Sequence, residues 1–324
     1  MKKLIGAFKG QEAAIAGIIA VMSVIFTIRN PIFFSVENLM DVLKANSVLG
    51  IMACGMFLVI ISGGIDVSVG AIISASACVA GTVLVRCSSN VFLAFLIAGA
   101  TGAVLGGLNG LLISRLRIPP LVVTLGTYSI IMGIMVYLTN GSWITGIPDS
   151  LMRFGGLRPL GIPIQAYFFA GTVALTWFLV KFTLWGRGVF AIGGDELSAS
   201  RIGFNTTVVQ HLIYVYIGFL AGISSMVHTS IMQQIDPNAF KGYEMQVISA
   251  VVLGGTNIAG GYGTVGGVVL GVVFLAVTNN GMVLMKVPVY WQQIIIGCIM
   301  LFAIFFNIVR KKKAEAKNVR IDVE

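Results

Sequence analysis

The stretch Ser62-Gly63-Gly64-Ile65-Asp66-Val67-Ser68-Val69-Gly70 separates two long apolar runs of this 324-residue chain. The run before it covers residues 50–61 and the run after it covers residues 71–85. A polar break this short is too small for a domain linker. It predicts a tight, close-packed turn at a membrane surface, with one charge. The predicted structural residues of the turn are Gly63, Gly64, Asp66, Ser68 and Gly70.

The composition of the whole chain is that of a membrane protein. Hydrophobic residues make up 57% of it and charged residues only 10%, where a soluble domain carries about 25% charged residues. Several apolar stretches approach the roughly 20 residues that cross a bilayer as a helix. The stretches are continuous rather than alternating, which excludes a transmembrane barrel. The sequence therefore predicts an all-α, polytopic transmembrane helical bundle.

About ten spans are predicted along the chain. The eighth is the weakest, because it is short and is broken by Gly254, Gly255, Gly260 and Gly261. The predicted spans are residues 13–28, 47–62, 68–85, 91–113, 120–138, 166–183, 211–231, 244–258, 264–284 and 288–308.

The basic residues predict the orientation of the bundle. With the N-terminus inside, the inner segments hold 13 Lys and Arg and the outer segments hold 7, with Lys181 at an inner span end. This bias follows the positive-inside rule, so both termini are expected to be cytoplasmic. The net charge of +9 is thus explained by basic residues that set the orientation of the chain in the membrane. It gives no support to a nucleic-acid role, because the basic residues are scattered over many loops.

The sequence lacks the usual centres of catalysis and ion coupling. It has no GxxxxGK[ST] phosphate loop, no HExxH and no GxSxG motif, and its four cysteines have no metal-ligand spacing. No acidic residue falls in the middle of a predicted span, which disfavours a proton-driven carrier. We expect no catalytic residue, no metal site and no cofactor in this chain.

Neutral polar residues in or at the edges of spans are the candidates for a solute pathway. Uncharged donors and acceptors suit an uncharged, polyhydroxylated solute. For each residue the alternative is a hydrogen bond that joins two helices. The candidate pathway residues are Asn109, Thr124, Asn257, Asn279 and Asn280.

The longest internal cytoplasmic segment, residues 184–210, predicts a short amphipathic helix at the inner surface. Gly193-Gly194 breaks the chain, Asp195 can cap the helix, and Glu196 lies in its first turn. The helix is expected to end at Gly203. A short helix set off by glycines suits docking of a cytoplasmic partner, and the alternative is a plain connector on the surface.

At this point the motifs resemble a known family, the integral-membrane permeases of bacterial ribose-type ABC sugar importers. They occur in the family's order over nearly the whole chain. The residues that carry the resemblance are Gly63 to Gly70, Asn109-Gly110, Ile118-Pro119-Pro120 with Thr124-Leu125-Gly126, Ala191 to Gly194, and Leu253-Gly254-Gly255 followed by Gly260-Gly261.

The resemblance implies a type II ABC importer permease, with residues 1–324 as one transmembrane domain and residues 309–324 as a basic cytoplasmic tail. Two permease chains, identical or related, would form the pathway in the inner membrane. A periplasmic or lipid-anchored sugar-binding protein would dock outside. ATP and Mg²⁺ would belong to a separate ATPase that receives the segment 184–210. The implied coupling residues are Gly193, Gly194, Asp195, Glu196, Ala199, Ser200, Arg201 and Gly203.

Two local features refine the resemblance. Family members often have asparagine after the Gly-Gly pair, where this chain has Asp195, and they continue with an Ala-Ala-Arg pattern where this chain has Ser198-Ala199-Ser200-Arg201. The sequences of residues 141–148 and 287–291 resemble segments of permeases for autoinducer-2 or for deoxysugars such as rhamnose.

Two other classes of function remain open on the residues alone. One is an autonomous facilitator or carrier of a small polar solute, which would move it in liposomes without ATP. The other is a scaffold protein of the membrane, which would give no solute flux.

Overall fold

The computed structural model describes residues 2–299 together with residues 301 and 305. Its long helices are α1 (Lys2–Arg29), α2 (Val36–Ile61), α3 (Val69–Arg86), α4 (Val91–Leu116), α5 (Pro120–Thr139), α7 (Ile164–Phe182), α10 (Thr206–Met232) and α12 (Val265–Leu284). The shorter helices are α6 (Asp149–Gly156), α8 (Leu184–Gly194), α9 (Glu196–Arg201), α11 (Tyr243–Leu253) and α13 (Val289–Ile299). The basic tail 309–324 lies outside the described residues.

The all-α bundle predicted from the sequence is confirmed. Eight helices of the described residues are long and apolar enough to cross a membrane, and they match the predicted spans other than the eighth and tenth. Those two spans correspond to the shorter apolar helices α11 and α13. The predicted eighth span, residues 244–258, is too long, because α11 ends at Leu253 and is followed by a glycine-rich loop. An 11-residue helix is only about 16 Å long.

Side-chain caps fix where several of these helices begin. The Ser35 side chain accepts a hydrogen bond from Asn38 N at the start of α2. At the start of α12, the Thr264 hydroxyl oxygen accepts a hydrogen bond from Gly267 N. The same hydroxyl donates a hydrogen bond to the Glu12 carboxylate of α1. A side-chain acceptor satisfies one of the free N–H groups at a helix start. The caps therefore place α2 eleven residues earlier than the apolar pattern predicts, at Val36 rather than residue 47.

The centre of the bundle is the second half of α2. Every residue from Ser47 to Ile61 is buried, and α7, α10, α11 and α12 pack around α2. By contrast, α5, α7 and the part of α1 from residue 18 onward have several large apolar side chains exposed. Apolar faces of this kind suit contact with lipid, where they cost nothing to expose.

Two helix pairs approach so closely that only glycine fits between them. A Cβ at Gly102 of α4 would overlap the backbone oxygen of Gly218 of α10, and a Cβ at Gly254 would overlap that of Gly267 of α12. Small residues let backbones approach in lipid. The sequence predicted such tightly packed faces over residues 99–110 and 263–271, and the structure confirms both.

The segment 139–165, which the sequence predicts to lie outside, contains α6 and an extended piece, as expected. Ile144 pairs with Ile235 through two backbone hydrogen bonds of 2.9 and 3.0 Å. This isolated bridge joins the segment to residues 232–243, the second segment predicted to lie outside.

Candidate functional site

The break between α2 and α3 is buried in the bundle, since Asp66 and Ser68 have no exposed surface. The close packing that the sequence predicted for this turn is therefore confirmed, and its position at a membrane surface stays a prediction. The Asp66 Oδ1 atom accepts hydrogen bonds from Ser68 N at 2.8 Å and Ser68 Oγ at 2.6 Å. The carboxylate thereby fixes Ser68, the residue before α3, and stabilises the turn within the protein. Gly63, with φ of 85°, supplies the left-handed backbone that the turn requires.

Two of the candidate pathway residues hold this buried turn in place. Asn109 of α4 donates from Nδ2 to Ser68 Oγ at 2.8 Å. Thr124 of α5 accepts from Val67 N at 3.2 Å and donates to Ile65 O at 3.3 Å. Both side chains are fully buried. The structure thus brings Asn109, Thr124 and Asp66 together in one polar cluster, in which Asp66 Oδ2 and Asn109 Oδ1 have no partner among the described residues.

Asn257 organises the second break, residues 254–263. It donates from Nδ2 to Gly260 O at 2.8 Å and accepts from Ala259 N at 3.2 Å. Gly255, Gly260 and Gly261 have φ between 74° and 90° in this loop. Asn257 is therefore tied to its own loop, as a turn residue of this type commonly is.

Asn279 and Asn280 behave differently from each other. Asn280 of α12 exchanges two side-chain hydrogen bonds with Asn38 of α2, at 3.0 and 2.9 Å. These bonds join two helices, which is the alternative to a role in the pathway. Asn279 is half-buried. The role of these five polar residues in a pathway stays a prediction.

The two breaks meet at the end of α8. Gly261 N donates to Ile61 O, the last carbonyl of α2, at 2.8 Å. Gly193 lies against both: a Cβ there would overlap Ile61 O and come within 2.6 Å of Gly261 N. The neighbouring Gly194 has nothing within 4 Å of the same position. We call the contact of Gly193, Ile61 and Gly261 the Gly193 junction.

The helix predicted at the inner surface is present as α9 and is joined directly to the Gly193 junction. Asp195 caps it, with Oδ1 accepting from Ser198 N at 2.6 Å. Hydrogen bonds from the Ser198 hydroxyl and backbone lower the pKa of the Asp195 carboxyl, which keeps this cap ionised at neutral pH. Ala199 is the buried anchor of α9. Gly203, with φ of 97°, follows its end, as expected.

The outward face of α9 borders a groove of about 400 Å³ against the connection between α4 and α5. Glu196, Leu197 and Ser200 line one side, and Arg117 and Pro119 lie on the other. Leu197 and Ile202 are more than half exposed. The segment thus combines an exposed apolar surface with charges of both signs, Glu196 and Arg201.

Sequence reasoning missed Ile61, Tyr214 and Glu244 as parts of these sites. Ile61 matters through its backbone carbonyl, and any residue supplies a carbonyl. Tyr214 of α10 is buried with its hydroxyl unpartnered, and a Cβ at Gly64 would lie 2.8 Å from that hydroxyl. Glu244 gave a usable signal, since it is the one acidic residue that falls within a predicted span, as the first residue of 244–258.

Comparison with known proteins places the chain among transport proteins. Residues 38–304 match a family described as branched-chain amino acid transport system / permease component. The ribose import permease protein RbsC of Escherichia coli K12 is 32% identical over 301 residues, covering 92% of this chain and 93% of the relative. The RbsC protein of Bacillus subtilis is 36% identical over 297 residues, 91% of both chains.

A relative with a different named solute is similarly close. The autoinducer 2 import system permease protein LsrC of Photorhabdus laumondii is 35% identical over 289 residues, 89% of this chain and 86% of the relative. The search of solved structures found no match. The resemblance drawn from the motifs is therefore confirmed at the level of the family.

Proposed function

This chain belongs to the family of transport-system permease components, and from that premise we propose that it carries a monosaccharide or related polyhydroxylated solute into the cell. It is a multi-pass permease subunit of an ATP-driven importer of the inner membrane, and a transport subunit rather than an enzyme. Relatives named for ribose and autoinducer 2 import support the solute class. The neutral polar side chains at the breaks suit the same class.

Three partners complete the proposed importer. A separate cytoplasmic ATPase binds ATP and Mg²⁺. A second permease chain, identical or related, forms the pathway with this one. A periplasmic or lipid-anchored binding protein delivers the solute to the joined outer surface of residues 139–165 and 232–243. Both termini lie in the cytoplasm, as the distribution of basic residues supports.

The coupling of ATP use to transport runs through α9, and the Gly193 junction is the observation that carries this assignment. α9 follows α8 without a flexible linker, with Asp195 serving as the last cap of one helix and the first cap of the other. Any displacement of α9 by the ATPase therefore moves Gly193, which lies against the end of α2 and the 254–263 loop. Packed elements of this kind transmit small shifts because they do not deform continuously.

The proposal is tested by Asp195→Ala and Arg201→Ala in the complete complex in proteoliposomes. The first removes the cap, a loss of about 1 kcal/mol for the short helix, and the second removes its exposed cation. Solute uptake and ATPase activity stimulated by the loaded binding protein are measured together. We expect uptake to fall while the protein remains folded.

Asp195→Asn is the matched control, since asparagine caps a helix as well as aspartate does, and Arg187→Ala removes an exposed inner cation outside α9. Unchanged uptake in both test variants would count against coupling through α9. Solute flux through the chain alone in liposomes, without ATP, would favour the facilitator instead.

A further inference from the structure

Glu244 is a buried carboxylate that the coupling mechanism does not use. It lies in the first turn of α11 and is only 7% exposed. Its Oε2 atom has no hydrogen-bond partner, and the one ion pair found within the described residues joins Arg158 to Asp41 instead. The backbone N–H groups of Gly242 and Glu244 hydrogen-bond the carboxylate, so Oε2 is its one free oxygen. A buried carboxylate oxygen without a partner is costly inside a membrane protein and marks a candidate functional position.

The free oxygen of Glu244 is directed at the N-terminus of α3. It lies 3.4 Å from the position that a Cβ would take at Gly70, the second residue of that helix. Ile72 N makes the first backbone hydrogen bond of α3, to Ser68 O, and the described residues offer no backbone acceptor to the N–H groups of residues 69–71. A helix start of this kind carries free donors and partial positive charge.

Gly70 allows the residues before α11 to pack directly against the start of α3. A Cβ at Gly70 would overlap the backbone oxygen of Phe240, so any larger residue would push this loop, and Glu244 with it, away from α3. Two elements, α3 and α11, thus contribute polar groups to one interior position.

The chemistry of this position matches a pair of sugar hydroxyls. A carboxylate oxygen only accepts hydrogen bonds and a backbone N–H only donates them, whereas a hydroxyl does both. Of two adjacent hydroxyls, one can donate to Glu244 while its neighbour accepts from the start of α3. Such an arrangement holds a neutral polyol without requiring a charge on it.

We propose that Glu244 and the N-terminus of α3 bind adjacent hydroxyls of the sugar as it passes through the permease. This inference rests on the proposed function and adds a contact that the coupling segment does not involve. The site acts on the solute itself, so its loss affects transport of the sugar and leaves the response of the ATPase to the binding protein intact.

The test is Glu244→Gln in the complete importer in proteoliposomes, supplied with a panel of radiolabelled aldoses. Glutamine keeps the shape of the side chain and removes the charge. For the sugar that the wild type imports, we expect the uptake rate of the variant to fall about tenfold or more, the scale of losing one charge-assisted hydrogen bond. ATPase stimulation by the loaded binding protein should stay within about twofold of wild type, since α9 is untouched.

Glu37→Gln is the matched control. It makes the same exchange at an exposed carboxylate in the first turn of α2, away from the coupling segment and from the two segments that face the binding protein. Uptake should be unchanged in it. In the wild type, a deoxy analogue that lacks one of the paired hydroxyls should enter more slowly, and Glu244→Gln should lower its uptake less than that of the parent sugar.

Three results would overturn the inference. Equal uptake by Glu244→Gln and wild type would show that the carboxylate does not contact the sugar. A joint loss of uptake, ATPase stimulation and melting temperature would show that Glu244 only stabilises the start of α3. Import of no panel sugar by the wild type, with no ATPase stimulation, would remove the proposed function itself and this site with it.

Discussion

Gly193 and Gly194 are identical neighbours with different surroundings. The position of a Cβ at Gly193 is filled by Ile61 O, whereas the same position at Gly194 is open. Both lie at the end of α8, and neither has positive φ. The two glycines share their backbone conformation and their position in the helix. A comparison of alanine substitutions at the two positions therefore tests the effect of close packing alone.

Gly193→Ala is expected to disturb the Gly193 junction, and Gly194→Ala is its control. An added methyl in a filled space costs about 1–3 kcal/mol, and here it displaces α8 from the end of α2. We expect lower ATPase stimulation and lower uptake in Gly193→Ala, measured in the reconstituted complex. Gly194→Ala should remain close to wild type. Equal behaviour of the two variants would show that the junction does not transmit the motion of α9.

Helices α4 and α10 form the tightest pair of elements in the bundle. Gly102, Gly106 and Gly110 of α4 all face backbone atoms of α10, so this face is a continuous strip of close approach. Gly107 lies on the same helix but off this strip, where a Cβ would lie 3.4 Å from a Val215 side-chain carbon.

Gly102→Ala is expected to lower the stability of the pair, and Gly107→Ala is expected to leave it equal or raise it. In the first variant the methyl overlaps Gly218 O, at a cost of about 1–3 kcal/mol. In the second, alanine favours the helix by up to about 1 kcal/mol and meets only ordinary van der Waals contact. Thermal unfolding in mild detergent measures both. A melting temperature for Gly102→Ala at or above that of Gly107→Ala would contradict the tight α4–α10 contact.

The whole molecule is a bundle around α2, with two interrupted segments inside it. The orientation of that bundle follows from the basic residues and from no contact within the protein. With both termini cytoplasmic, the end of α3 and the start of α4 lie outside and α9 lies inside. Cys87, between α3 and α4, is exposed, while Cys54 and Cys78 are buried.

A labelling experiment tests this orientation. In a Cys298→Ser background Cys87 is the only exposed native thiol, because the other two are buried. We expect a membrane-impermeant maleimide to label Cys87 in intact right-side-out vesicles. Ser198→Cys, in a Cys87→Ser and Cys298→Ser background, should label only after permeabilisation. The reverse pattern would invert the bundle and place α9 outside, away from any ATPase.

The sequence by itself determined the class of protein, most of the helices and the short inner helix. Long apolar runs form helices in lipid, because each backbone N–H and C=O group must find its hydrogen-bond partner within its own segment. The Asp195 cap and the helix end at Gly203 could be predicted, because each is formed by residues only a few positions apart in the chain. The family followed from motifs spread along the chain.

Only the tertiary structure decided where the polar breaks lie. The sequence predicts a close-packed turn at Asp66, but it does not show that Asn109 and Thr124, far along the chain, come to cover that turn. The length of α11, the Gly193 junction and the approach of Glu244 to α3 also depend on residues far apart in the chain. Apolar pattern fixes which segments enter the membrane, but close packing between distant backbones fixes which polar groups meet there.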